Sequence, residues 1–126
     1  MTYWFTLIAL LTLLALTLFQ LALIFGAPLG KFAWGGNSTV LPTRLRIASV
    51  TSIVIYAVFA LFIASKAGFI QAIHHPQILS VSLWVFTGYF FIGIAMNAIS
   101  RSKAERNLMT PVAAILAVSF LIVTLS

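Results

Sequence analysis

No cysteine occurs in the chain, which excludes structural disulfides, thiolate metal sites and dithiol redox chemistry. Acid is nearly as scarce: Glu105 is the single carboxylate side chain, against seven Lys and Arg and two His. A pair of carboxylates sharing acid and base work is therefore absent. Only 6% of residues are charged, where a soluble domain carries roughly a quarter. So few charges cannot cover a surface that faces water. What is present in their place is apolar: 63% of residues are hydrophobic, gathered in long blocks without an amphipathic period. The solvent for most of the surface is lipid, and residues 1–126 read as one domain.

Four blocks are long enough to cross a bilayer. They run from about Tyr3 to Phe25, Leu45 to Ser65, Val81 to Ile99 and Pro111 to Leu125. At 1.5 Å per residue, roughly 20 residues cross a hydrocarbon core of about 30 Å. Gly26 and Pro28 stop the first block, and Gly68 is a C-terminal cap for the second. Thr110-Pro111 has the form of a helix start, a hydroxyl cap followed by proline where no amide donor is needed. Met1-Thr2-Tyr3-Trp4 has no basic stretch before the first block, which reads as a retained helix and not a cleaved signal peptide. The fold class predicted is an all-α membrane protein, four transmembrane helices in an antiparallel bundle. Ala48 and Ser52, Ala60 and Ala64, and Ala113 and Ala117 are small residues spaced for close backbone approach.

The net charge of +6 is not a nucleic-acid signature, because every base lies at or between the blocks. Loops 26–44 and 100–108, with their flanks, hold Lys31, Arg44, Arg46, Arg101, Lys103 and Arg106; the opposite side holds Lys66 alone. Six against one places both loops in the cytoplasm and both termini outside. Tyr3, Trp4 and Trp84 then fall in the outer aromatic belt. The bases contact anionic headgroups, so membrane lipids are the first expected partners.

Polar chemistry concentrates at the basic end. The first loop contains Phe32 and Trp34, expected to pack back on the membrane, and Gly35-Gly36, expected to turn tightly. Its exposed amides with Arg44 and Arg46 close by would suit an anion; the plainer alternative is a structured turn whose arginines snorkel to phosphates. Glu105 lies in Ser102-x-x-Glu105, a capping-box pattern, and is placed to pair with Arg44 or Arg46 across the two loops. Gln20 and Asn97 lie one to two turns inside the same end, as interhelical glue or as the lining of a small polar pocket. Tyr56 and Tyr89, nearer mid-bilayer, each need a hydroxyl partner. The residues that would bind a ligand are Gln20, Trp34, Arg44, Arg46, Asn97, Glu105 and Arg106.

No Asp, Glu, Lys or Arg lies deep in a span, as proton-coupled transport generally requires. His74-His75 are adjacent and lack the i,i+4 spacing of a metal face, so no metal site is expected. No phosphate-binding glycine fingerprint follows a strand, and no cofactor is expected.

The motifs Gly26-Ala-Pro-Leu-Gly30, Trp34-Gly-Gly36, Leu41-Pro-Thr-Arg-Leu-Arg46 and Asn97-x-x-Ser-x-Ser-x-x-Glu-Arg106 resemble those of a family of uncharacterised small four-helix bacterial membrane proteins. The resemblance covers nearly the whole chain. It implies a bacterial cytoplasmic membrane and brings no activity with it. Three functions follow in order. The first is an accessory or interaction protein, as a homo-oligomer or within a larger membrane complex. The second is a lipid or small-solute binding or transport protein with its polar site at the cytoplasmic end. A distant third is an enzyme in which Glu105 with Arg101 or Arg106 acts on a lipid headgroup.

Overall fold

The computed structural model describes residues 1–126 and contains four α-helices, two single-turn 3-10 helices in the first loop (Gly30–Phe32 and Trp34–Gly36) and no strand. The α-helices are α1 (Thr2–Ile24), α2 (Thr43–Lys66), α3 (Pro76–Ala98) and α4 (Lys103–Leu125). All four are long and apolar enough to span a membrane. The protein is a multi-pass membrane protein built as a helical bundle, alternating in direction. The Thr2 hydroxyl donates to Ser126 Oγ at 2.6 Å, which brings both termini to one end. The Ser102 hydroxyl donates to the Lys31 carbonyl, which brings the two basic loops together at the other.

Two helix starts differ from the sequence reading. α4 begins eight residues before the expected Pro111. The Ser102 hydroxyl accepts from the Glu105 amide at 3.2 Å, an N-cap that outcompetes the Thr110-Pro111 signal. Pro111 is carried inside the helix, where its ring removes one backbone donor. α3 begins at Pro76, not near Val81. Proline occupies the first helical position, and His75 Nδ1 accepts from the Ile78 amide at 3.3 Å. His75 is thus a helix cap.

α4 is the central helix. It packs most extensively on α3 and also along α1, while α1 pairs with α2. Ala113 and Ala117, one of the expected small-residue pairs, are buried in this contact region. The remaining seam, between α2 and α3, is the thinnest of the four. Aromatic rings close it in the terminal half of the bundle: Phe59 meets Phe86 at 4.8 Å and Phe90 at 4.9 Å between ring centroids, in edge-to-face geometry. These rings join Phe120, Leu116 and Leu83 in the main core.

The first loop forms its own small core. Leu23, Ala33 and Leu41 are buried together, with Phe19, Leu29 and Leu45 packed against them. The Gly30 amide donates to the Thr39 carbonyl at 2.8 Å and closes the loop. A Cβ at Gly30 would overlap the Ser38 carbonyl. Gly30→Ala should therefore destabilise the protein by about 1–3 kcal/mol, the usual range for overpacking. Gly35 is open on its Cβ side and has φ +78°, so Gly35→Ala should cost only the left-handed strain, about 1–2 kcal/mol. Detergent-solubilised melts of the two variants test whether closure at Gly30 is the tighter constraint; equal or reversed losses would refute it.

Candidate functional site

The loop core and the main core do not meet. Between them lies a cavity of about 230 Å³. Its roof is Phe32, Ala33 and Trp34 from the first loop. Its floor reaches Leu116 and Phe90 of the main core. On the thin seam Ser52 and Tyr56 of α2 face it with Gly93 and Asn97 of α3. Tyr89 lines the cavity and is also 56% exposed on the outside of the bundle, so the cavity reaches the lipid along this seam.

Four of the seven expected site residues line this space: Gln20, Trp34, Asn97 and Glu105. Gln20 is only 6% exposed. Its Nε2 donates to the Tyr56 hydroxyl at 3.4 Å, linking α1 to α2, while its Oε1 has no partner. Asn97 does not bond across helices; its amide donates back to the Gly93 carbonyl at 2.9 Å. Trp34 donates through Nε1 to Ser49 Oγ at 3.3 Å. It has φ +52° and is the one non-glycine residue with positive φ. For a bulky residue that conformation is strained, and strain of this kind persists where the surrounding structure holds it in place. Here the buried Ala33 and the Ser49 bond hold the indole over the cavity.

The other three, Arg44, Arg46 and Arg106, lie outside it. Arg46 Nε donates to the Leu41 carbonyl at 2.8 Å, and its guanidinium lies over Gly26. It staples the first loop to the end of α1. Arg44 is exposed. Arg106, also exposed, reaches the Ser100 carbonyl at 3.5 Å.

Glu105 forms no ion pair with Arg44 or Arg46. It accepts from the Ser100 hydroxyl at 2.5 Å and from the Gly35 amide at 3.4 Å. The Gly35-Gly36 turn points an amide inward because both glycines take left-handed φ, +78° and +74°. The anion that the loop amides attract is thus the chain's own carboxylate. The Arg46 guanidinium is placed elsewhere, at the Leu41 carbonyl and over Gly26, so the donor that meets Glu105 is a backbone amide. The capping box is correspondingly half-formed: the Ser102 amide goes to Ser100 Oγ at 3.2 Å, not to Glu105. Glu105→Ala should expose the Gly35 amide, raising its hydrogen-exchange rate at least several-fold while mid-α1 amides stay protected. Unchanged exchange at Gly35 would show that the contact does not hold the loop.

The walls also include residues that the sequence reading does not single out, Met109 and Val112 among them. Nothing in their type separates a cavity wall from a packed interface. Gly93 carried a signal: a glycine on the inner side of a helix leaves room either for a neighbouring backbone or for a void, and here a Cβ would meet nothing within 4 Å. No known family model matches the chain, and neither does any curated protein or solved structure.

Proposed function

We propose that the protein is a membrane binding protein that holds a small amphiphilic molecule in the cavity at its basic end. The observation that carries this reading is Gln20 Oε1, a buried acceptor without a donor, beside a cavity large enough to supply one. The Thr6, Ser65 and Thr110 hydroxyls are also buried without partners, but Gln20 alone among these residues lines this cavity, which can bring its oxygen a donor. The lining suits the role: mostly aromatic and aliphatic walls with a few convergent polar groups.

The basic end faces the cytoplasm in this reading, with both termini outside, because six of seven bases gather there. The motif resemblance favours the bacterial cytoplasmic membrane. Anionic lipid headgroups would meet the exposed Arg44, Arg101, Lys103 and Arg106. Binding is favoured over catalysis on a headgroup because Glu105 is the single acid, and its neighbours are a serine hydroxyl and an amide, with no histidine or second carboxylate in the lining.

Native mass spectrometry of the protein extracted gently from its own membrane tests the proposal. A small molecule retained at fixed stoichiometry is the expected result. A chain that emerges empty, even after exposure to a total lipid and metabolite extract, would overturn it. An accessory or oligomeric role is the second reading, favoured by the absence of any further folded unit beyond the four helices and the loops that join them; the same spectrum would read it as a stoichiometric partner or a defined oligomer.

A further inference from the structure

Glu105 is the only acid in a chain with seven Lys and Arg, yet no cation neutralises it. Its oxygens take one hydroxyl and one amide, and a carboxylate has room for about four donors. Glu105 lines the cavity, and none of the seven bases does. In the same lining, Gln20 Oε1 is a second acceptor without a donor. Trp34 Nε1 is committed to Ser49 and one Asn97 N–H to Gly93, and the Tyr56 and Tyr89 hydroxyls in the lining bring no positive charge to balance Glu105. The cavity therefore has spare acceptors, a negative charge and aromatic walls. Its complement must bring donors, a positive charge and an apolar remainder.

Resting on the binding role proposed above, we infer that the cavity takes a primary ammonium group carried on an apolar chain. The ammonium supplies a positive charge for Glu105 and three N–H donors for the spare acceptors of the lining. The rings of Tyr56, Tyr89 and Trp34 favour a cation beside them. At about 30 Å³ per water, the cavity has room for roughly seven. That suits the ammonium and a short length of chain; the rest leaves along the α2–α3 seam past Gly93 and Tyr89. A trimethylammonium has no N–H and would leave Gln20 Oε1 unpaired. A carboxylate or phosphate head would meet Glu105 with like charge. Two sources share the required chemistry: the headgroup of an ethanolamine lipid, whose phosphate would rest against the exposed bases outside, and a free amphiphilic amine.

The full-length protein in phosphatidylcholine nanodiscs, with octylammonium, octanol and octanoate as probes, tests this. Binding is read from Trp34 fluorescence in a Trp4→Phe, Trp84→Phe background and from probe retained in native mass spectra. Octylammonium is expected to bind at least tenfold more tightly than octanol, and octanoate more weakly than either. Glu105→Gln should bring octylammonium down to the octanol level. Because that change also touches the first loop, Gln20→Met provides a second variant, expected to weaken octylammonium several-fold with the loop amides still protected from exchange. Replacing half the phosphatidylcholine with phosphatidylethanolamine identifies the source: competition with octylammonium supports the lipid headgroup, and unchanged binding supports a free amine. Equal binding of octylammonium and octanol, with both lost in Gly93→Phe, would overturn the ammonium assignment and leave the binding role standing. Failure to retain any probe or any endogenous molecule would overturn both.

Discussion

Gly93→Phe should abolish ligand retention, by tenfold or more, while leaving the four helices assembled. Gly93 lies on α3, lines the cavity, and has open space where a Cβ would stand. Side chains on a helix lean toward its N-terminus, so the ring would extend into the void on the side of Tyr89 and Phe90. Replacing a mid-helix glycine also removes backbone freedom from the unfolded state, a gain of about 0.5–1 kcal/mol. Stability should therefore stay level or rise. Gly88→Phe is the matched control. It lies on the same helix with equally open space at its Cβ, but Gly88 does not line the cavity. It should share the helix gain and keep the ligand. Equal retention in the two variants would show that the cavity is not where the ligand resides.

Phe120→Ala should be the most destabilising single truncation in the bundle. Phe120 is fully buried on α4, with its ring 4.8 Å from Phe90 and 6.2 Å from Phe59 between centroids. Lipid is as apolar as the side chain, so transfer out of water is not the term that is lost. What is lost is dispersion contact across a void that lipid cannot fill. The cavity part of the usual core penalty leaves about 2–3 kcal/mol. Phe25→Ala removes the same atoms from a position 83% exposed and should change stability by less than about 0.5 kcal/mol. Unfolding in mixed micelles compares the pair, and similar losses at both positions would mean that α4 is not packed as the centre of the bundle.

Much of this architecture is legible in the sequence because a bilayer imposes so strong a condition. Apolar runs of about 20 residues have few alternatives, and all four spans fall where the blocks lie. The folded first loop was also readable, since Phe32, Trp34 and the paired glycines make little sense in a linker. Helix starts were harder. Both Ser102-x-x-Glu105 and Thr110-Pro111 have the form of a start, and only the neighbourhood of Ser100 and Lys31 decides between them. Glu105 shows a deeper limit. Charge alone draws it to an arginine, whereas its partner is the Gly35 amide, exposed by two left-handed glycines whose φ angles depend on the assembled loop. The cavity was legible only as an alternative, since Gln20 and Asn97 read as interhelical glue or as the lining of a polar pocket. A void is a failure of two cores to meet, and no single residue records it.

The contact between the two loops also bears on how the chain is made. Gly35 and Glu105 are 70 residues apart, and Ser102 and Lys31 are 71 apart. At a synthesis rate of about 5–20 residues per second, the first loop waits about 4–14 s for its carboxylate. During that interval the α1–α2 hairpin is in the bilayer with the strained Trp34 turn unlatched and Gln20 without the second hairpin over it. Latching happens only when α3 and α4 have inserted in the correct direction, because an inverted second hairpin would leave Glu105 on the far side of the membrane. The single acid thus ties the state of the first loop to the second hairpin: the loop closes on Glu105 in a chain whose two hairpins share one orientation and lacks that carboxylate in one whose hairpins do not.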